Sequence, residues 1–233
     1  MSFKSIVFTS TALFLSCTLS VHAASTVDLV NRAIGAEYAD YISGDDISSS
    51  QNDVSTGHWS DYVFVYDPLS TDSRVAEASQ TSDIASTGTH FFATSEAGAG
   101  MPLSDYGITS AYSSFVVQFT VDQSYMYALS GTVGGYVTDL GGVTTASDDA
   151  FVSLTDVGHF SNGTFDVTGV LSPGTYWLEA HTSNTASRAD AIQVSSGLYD
   201  LTLTLQPVPI PPAVWLFGSG LIGLVGLARR KKS

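Results

Sequence analysis

The sequence predicts an all-β chain: a single antiparallel β-sandwich, jelly-roll or immunoglobulin-like, set between an N-terminal signal peptide and a C-terminal hydrophobic helix. Three observations carry this. Short segments alternate apolar and polar residues with period two, the signature of a half-buried strand. Gly, Ser, Asp and Asn punctuate those segments at turn spacing. Between residues 25 and 206 no stretch offers an amphipathic helix longer than two turns, and the best helical candidate, 28–38, contains Gly35.

The elements follow from the same rule. In 115–121 (FVVQFTV) the odd positions are apolar, and beyond Asp122-Gln123-Ser124 they are apolar again in 125–129 (YMYAL), which predicts a hairpin. Segment 199–205 alternates cleanly, with Asp200, Thr202 and Thr204 facing out. Phe165 and Val167 face inward from 164–168, Pro173-Gly174 forms the centre of a type II turn, and Tyr176, Leu178 and Ala180 face inward on the strand after it. Tyr62, Val63, Phe64, Val65 and Tyr66 are apolar on both faces, which predicts a central strand. Further strands are expected at 89–93, 133–138 and 150–155, and the Ser- and Gly-rich stretches 43–57, 70–88 and 95–107 read as loops. No internal repeat is present.

Residues 1–24 have one early cation, Lys4, an apolar run over 6–19 and then Val21-His22-Ala23-Ala24, which is the layout of a secretory leader cut after Ala23 or Ala24. The rival is acylation at Cys17, against which Phe14 stands where such a signal wants Leu. At the other end, residues 207–233 open on Pro207, Pro209, Pro211 and Pro212. An uncharged run over 213–228 follows, and then Arg229, Arg230, Lys231 and Lys232. Cations stay on the cytoplasmic side, so the chain before the run lies outside the cytoplasm. The run's 16 residues would extend about 24 Å as a helix, and counting from Val208 gives 21, near the roughly 20 a bilayer core requires. The G-x-G-x-x-G of Gly218-Ser219-Gly220-Leu221-Ile222-Gly223 is a decoy, because a dinucleotide site needs a following helix and a distant acidic residue, and only 10 residues remain.

Val208, Pro209, Pro211, Trp215, Leu216, Phe217, Gly218, Ser219, Gly220, Leu221, Gly223, Gly226 and the run from Ala228 to Arg229, Arg230, Lys231 and Lys232 resemble a PEP-CTERM sorting signal. Pro209-Ile210-Pro211 stands where that family carries Pro-Glu-Pro. The resemblance covers about 26 of the 233 residues. It implies recognition by an exosortase, a membrane protease-transpeptidase. It also implies transient residence in the inner membrane, and release to the cell surface or exopolysaccharide (biofilm) matrix of a Gram-negative bacterium. The stretches VLSPGTYWLEAHT and YDLTLTLQPVP are similar to the β-sandwich ectodomains that precede such signals, a group without a shared catalytic motif.

Cys17, the single cysteine, leaves with the leader, so the mature body has no disulfide and no thiolate chemistry. Its 182 residues, 25–206, suffice for one core. All 22 carboxylates but only Arg32, Arg74 and Arg188 of the basic residues fall there, leaving the body at about −19. Such a surface repels nucleic acid and anionic lipid, and leaves calcium and neutral or cationic polysaccharide as ligand classes.

No G-x-S-x-G, H-E-x-x-H or EF-hand loop is present, and His58, His90, His159 and His181 are scattered, so the expectation is no enzymatic activity and no cofactor. Trp177, Glu179 and His181 share the strand face opposite Tyr176 and Leu178, a platform able to stack on a sugar ring unless another layer covers it. Trp59 is the second candidate sugar contact, and a carbohydrate-binding module would require it and Trp177 on one exposed face. Asp45-Asp46 and Asp148-Asp149, read as loop pairs, are the candidate calcium ligands, with a plain solvated turn as the alternative. The expected role is that of a structural or adhesive surface protein. A carbohydrate-binding module and a secreted hydrolase, which would need His clustered with Asp or Ser in a pocket, are the other two classes.

Overall fold

The computed structural model describes residues 24–40, 44, 46–66, 74–101, 107–139, 147–187, 193–209, 217 and 219–221. Twelve strands run in chain order: β1 (Ser25–Asp40), β2 (Asp46–Asp53), β3 (Gly57–Tyr66), β4 (Arg74–Ile84), β5 (His90–Met101), β6 (Gly107–Val121), β7 (Tyr125–Asp139), β8 (Ser147–Leu154), β9 (Gly158–Phe160), β10 (Gly163–Leu171), β11 (Gly174–Ser187) and β12 (Gln193–Pro207). They form two six-stranded antiparallel sheets, ordered β2-β1-β6-β11-β8-β9 (sheet A) and β10-β7-β12-β5-β4-β3 (sheet B). The sheets pack face to face as a sandwich, with β1 over β3 and β4, β6 over β4 and β5, β11 over β5 and β12, and β8 over β7 and β12.

The period-two pattern becomes burial directly. Along β6 every second residue is buried, from Gly107 to Val121, and in β11 Tyr176, Leu178 and Ala180 are buried as predicted. Phe165 and the alternate residues Tyr199, Leu201, Leu203 and Leu205 are buried too. One end of the interior is aromatic and aliphatic, with Phe119 between Phe91 and Tyr176 at ring separations of 5.0 and 5.8 Å. The other is alanine-rich, with Ala36, Ala78, Ala97, Ala99, Ala111 and Ala186 around Ile34, Val63 and Val65.

A buried polar layer separates the two ends. Moving along each strand from the aromatic end to the alanine end, the inward residues run Val30, Arg32, Ile34 in β1, then Ile84, Ser82, Gln80, Ala78 in β4 and Ala93, Ser95, Ala97 in β5. They run Phe115, Ser113, Ala111 in β6 and Ala180, Thr182, Asn184, Ala186 in β11. Most of the layer is internally bonded, as buried polar groups usually are, while Arg32 Nε and Gln80 Nε2 are buried without a hydrogen-bond partner among the described residues. The Asn184 amide donates to the Ala97 carbonyl (2.9 Å), Ser195 Oγ donates to Asn184 Oδ1 (2.9 Å), and the Ser113 hydroxyl donates to Gln80 Oε1 (3.2 Å). Gly197 lies beneath this network, where any Cβ would overlap Thr182 Oγ1.

Residues 28–38, the best helical candidate, are strand within β1, whose inward positions Val30, Arg32, Ile34, Ala36 and Tyr38 are all buried with period two, in keeping with the absence of a convincing helical pattern there. Four expectations are corrected. The stretches read as loops hold β2, β4 and most of β5, whose inward Gln80, Ser82 and Ser95 belong to the polar layer and so break the apolar pattern. Segments 115–121 and 125–129 form no hairpin: β6 lies in sheet A and β7 in sheet B, and the turn between them crosses the sandwich. The 61–66 strand lies at an edge, so Tyr62, Phe64 and Tyr66 face solvent while Val63 and Val65 face the core. Gly174 has no positive φ and opens β11 opposite Val121, so no type II turn is made there; instead Tyr176 Oη donates to the Ser172 carbonyl (2.8 Å) and pins the crossing.

Among the described residues no helix is long and apolar enough to cross a membrane.

Candidate functional site

Successive strand residues point to opposite faces, so burying Tyr176, Leu178 and Ala180 puts Trp177, Glu179 and His181 on the outside of sheet A. Pairing then adds neighbours from other strands. Phe151 of β8 stands opposite His181, Ser153 opposite Glu179, and His159 of β9 opposite Ser153. The Phe151 ring lies 4.9 Å from that of His159 and 5.8 Å from that of His181, tilted by 32° and 37°. Trp177 is 37% exposed and borders a shallow hollow with Ser153, Leu154, Thr155 and Glu179. Its backbone is fixed at both ends: the Trp177 N–H donates to Thr155 Oγ1 (3.0 Å) and the Thr155 N–H donates to the Trp177 carbonyl (3.0 Å).

Burial pushes the His181 imidazole below its usual range, and the Asp149 charge opposes this only in part. At neutral pH the ring is therefore uncharged, with one nitrogen donating and one accepting. The face combines an indole plane for the apolar side of a pyranose, a carboxylate that accepts from hydroxyls, and serine, threonine and neutral imidazole that both donate and accept.

Trp59 is elsewhere. It lies on the inward side of β3, half-buried against the alanine-rich end, with the Arg32 guanidinium 5.6 Å from its ring centre. The pairing of Trp59 with Trp177 on one face is thus corrected, because β3 belongs to sheet B and the ring takes its inward register. A second exposed aromatic row does occur, Tyr62, Phe64 and Tyr66 on β3, with ring separations of 5.5 and 4.9 Å and Tyr62 Oη donating to Glu77 (2.5 Å). Sequence reasoning missed it because an all-apolar segment does not reveal which face is covered.

The aspartates are not brought together. Asp45 lies outside the described residues; Asp46 begins β2, whereas Asp148 and Asp149 lie in β8, paired with Asn184 and Ser183. Three strands separate β2 from β8, and the loop setting expected for Asp46 and for Asp148-Asp149 is replaced by strand. Among the described residues no three His, Cys, Asp or Glu side chains converge as metal ligands would. His58 and His90 are exposed on sheet B, away from His159 and His181 on sheet A.

Of the residues expected to form terminal signals, Ala24 is exposed, while Ala23 lies outside the described residues. Val208 is half-buried and Pro209 exposed, and Phe217, Ser219, Gly220 and Leu221 are helical and exposed. Pro211, Trp215, Leu216, Gly218, Arg229, Arg230, Lys231 and Lys232 lie outside the described residues. The chain matches no family model and no curated protein.

Proposed function

We propose that this chain is an exported, non-enzymatic surface or matrix protein of a Gram-negative cell. Its N-terminal leader is cleaved after Ala23 or Ala24, and residues 207–233 are a PEP-CTERM-type signal that an exosortase processes, with 213–228 in the inner membrane until then. The tail carries this reading: a proline-broken entry, the Trp215–Leu221 motif and four terminal cations follow directly on the last strand. We read the sandwich as a jelly roll. The nested pairs β5/β12, β6/β11, β7/β10 and β8/β9, falling alternately in sheets B and A, support that winding. Two additional hairpins, β1–β2 and β3–β4, extend its sheets.

The body acts as a structural or adhesive element, and the Trp177 face is the surface that touches matrix polysaccharide. Its exposed indole beside Glu179, Ser153 and His181 favours this binding role over a hydrolase, because the face is open and its histidines lean on Phe151. The intact mass of protein recovered from membranes and from matrix tests sorting: a matrix form ending near residues 208–212 is expected, and a full-length form confined to membranes refutes it. Pull-down on the cell's own polysaccharide tests binding. Trp177→Ala should reduce retention about tenfold, as loss of about 1.4 kcal/mol of stacking would, and equal retention of both proteins refutes the assignment.

A further inference from the structure

The chain enters and leaves the sandwich at one turn. The backbone nitrogen of Ala24, one residue before β1, lies 3.2 Å from Oδ1 and 3.1 Å from Oδ2 of Asp122, and the Asp122 N–H donates to the Ala24 carbonyl at 3.3 Å. Asp122 opens the crossing between β6 and β7. Two residues on, the Ser124 carbonyl accepts from the N–H of Val208 at 3.0 Å, one residue past β12. The start of the body and the start of the tail are thus held at the same turn, through Asp122 and Ser124.

An amide nitrogen has a single hydrogen to offer, yet this one is near-equidistant from two carboxylate oxygens. An ammonium has three, enough to give one to each oxygen, and a charge to match. One position further, Ser25 is buried and paired with Val121, and its Oγ donates to the Thr87 carbonyl at 2.5 Å. A terminus created there would place a new charge in a buried strand position and forfeit the Ala24 contacts.

We infer that the leader is cut between Ala23 and Ala24, and that the new α-ammonium of Ala24 is held by both oxygens of Asp122, clasping the mature N-terminus beside the exit to the tail. The cut is hydrolysis by a leader peptidase. Water adds across the Ala23–Ala24 amide, the C–N bond breaks, the leader departs with a terminal carboxylate and Ala24 keeps a terminal amine that takes up a proton. The inference rests on the reading of the N-terminal segment as a leader cut after Ala23 or Ala24. It adds which of two bonds is cut and what the product does.

The sign of the pH dependence follows. An ammonium beside a carboxylate has its pKa raised, so the clasp stabilises the fold below the unfolded value of about 7.7–8.0 and is lost as pH rises through the folded value. An uncut amide at the same place gives no such dependence. The test is to express the full chain in an exporting Gram-negative host and read the first residue of the exported protein by mass. The α-amine is then titrated by pH-dependent labelling in the wild type and in Asp122→Asn.

The expected result is a chain beginning at Ala24, with an amine pKa about half a unit above its ordinary value that reverts in Asp122→Asn. In the wild type the elevation should shrink in 1 M salt, a check that needs no variant. A first residue of Ser25 overturns the inference while leaving export intact. So does an Ala24 amine that titrates alike in both proteins and at both salt concentrations. Exported protein that still carries the leader refutes the leader reading itself, and this inference with it.

Discussion

Replacing Arg32 by Ala should cost about 3 kcal/mol of folding stability, the lower end of the range for removing one member of a buried ion pair. Arg32 has no exposed surface, yet it is a cation inside the sandwich. Its Nη1 donates to the Gly57 carbonyl (2.9 Å) and Ser82 Oγ (3.2 Å), and its Nη2 to the Ser55 carbonyl (2.6 Å) and the carboxylate of Asp53. Removal leaves the buried Ser82 hydroxyl and the partly covered carbonyls of Gly57 and Ser55 without their donor, and opens a void under Trp59. The lower end applies because Asp53 keeps 23% of its side-chain surface exposed and retains the Ser55 hydroxyl at 2.9 Å. With a urea m-value of about 2 kcal/mol/M, the unfolding midpoint falls by about 1.5 M. The acid limb supplies a second readout. Burial acts to raise the Asp53 pKa, but the Ser55 hydrogen bonds and the Arg32 charge together hold it below its usual 3.8. Its contribution is therefore complete above 3.8 and lost as pH falls through the lower folded value, and in Arg32→Ala the folded value rises toward 3.8, so that this acid limb becomes shallower. A cost under about 1 kcal/mol, or a cycle with Asp53→Asn whose coupling is under about 0.5 kcal/mol, refutes this account of the polar layer.

Gly197→Ala should lose about 1–3 kcal/mol in urea unfolding, because its Cβ overlaps Thr182 Oγ1 and comes within 3.1 Å of Asn184 Nδ2. Gly98→Ala, whose Cβ would come no nearer than 3.7 Å to the Ser195 carbonyl oxygen, should be neutral, so equal costs at both positions would contradict this packing. Phe119→Ala removes a ring with no exposed surface and should cost about 3–5 kcal/mol by the same assay. For His181, whose lowered pKa means that stability is present above about 6.5 and lost as pH falls through the folded value, Gln should leave the melting temperature at pH 8 nearly unchanged. Melting from pH 8 to pH 5 should then show a shallower acid decline than the wild type, and parallel curves would exclude His181 as a source of that decline.

The platform was half-legible from sequence. Trp177, Glu179 and His181 lie two apart, and period two alone puts them on one face once Tyr176 and Leu178 are recognised as inward. Phe151, Ser153 and His159 carry no such signal, since they reach that face only through the pairing of β8 with β11 and β9. Trp59 shows the converse: its chemistry resembles that of Trp177, but register turns it under Arg32.

The strands whose inward residues are apolar throughout, such as 199–205 and 115–121, were determined by the sequence alone, because alternation records which side of a strand avoids water. The sequence also determined the all-β class and the cysteine-free, acidic character of residues 25–206, which are matters of composition and local order. Only the tertiary structure decided which strands pair, that 115–121 and 125–129 lie in different sheets, and that 61–66 is an edge. Local pattern is the same in each case, and the partner is chosen by contacts distant in sequence. Tertiary structure likewise decided that Arg32, Gln80, Ser82 and Ser95 lie inside. A polar residue reads as exposed until another strand arrives to satisfy its hydrogen bonds, and here those partners come from strands up to 50 residues away.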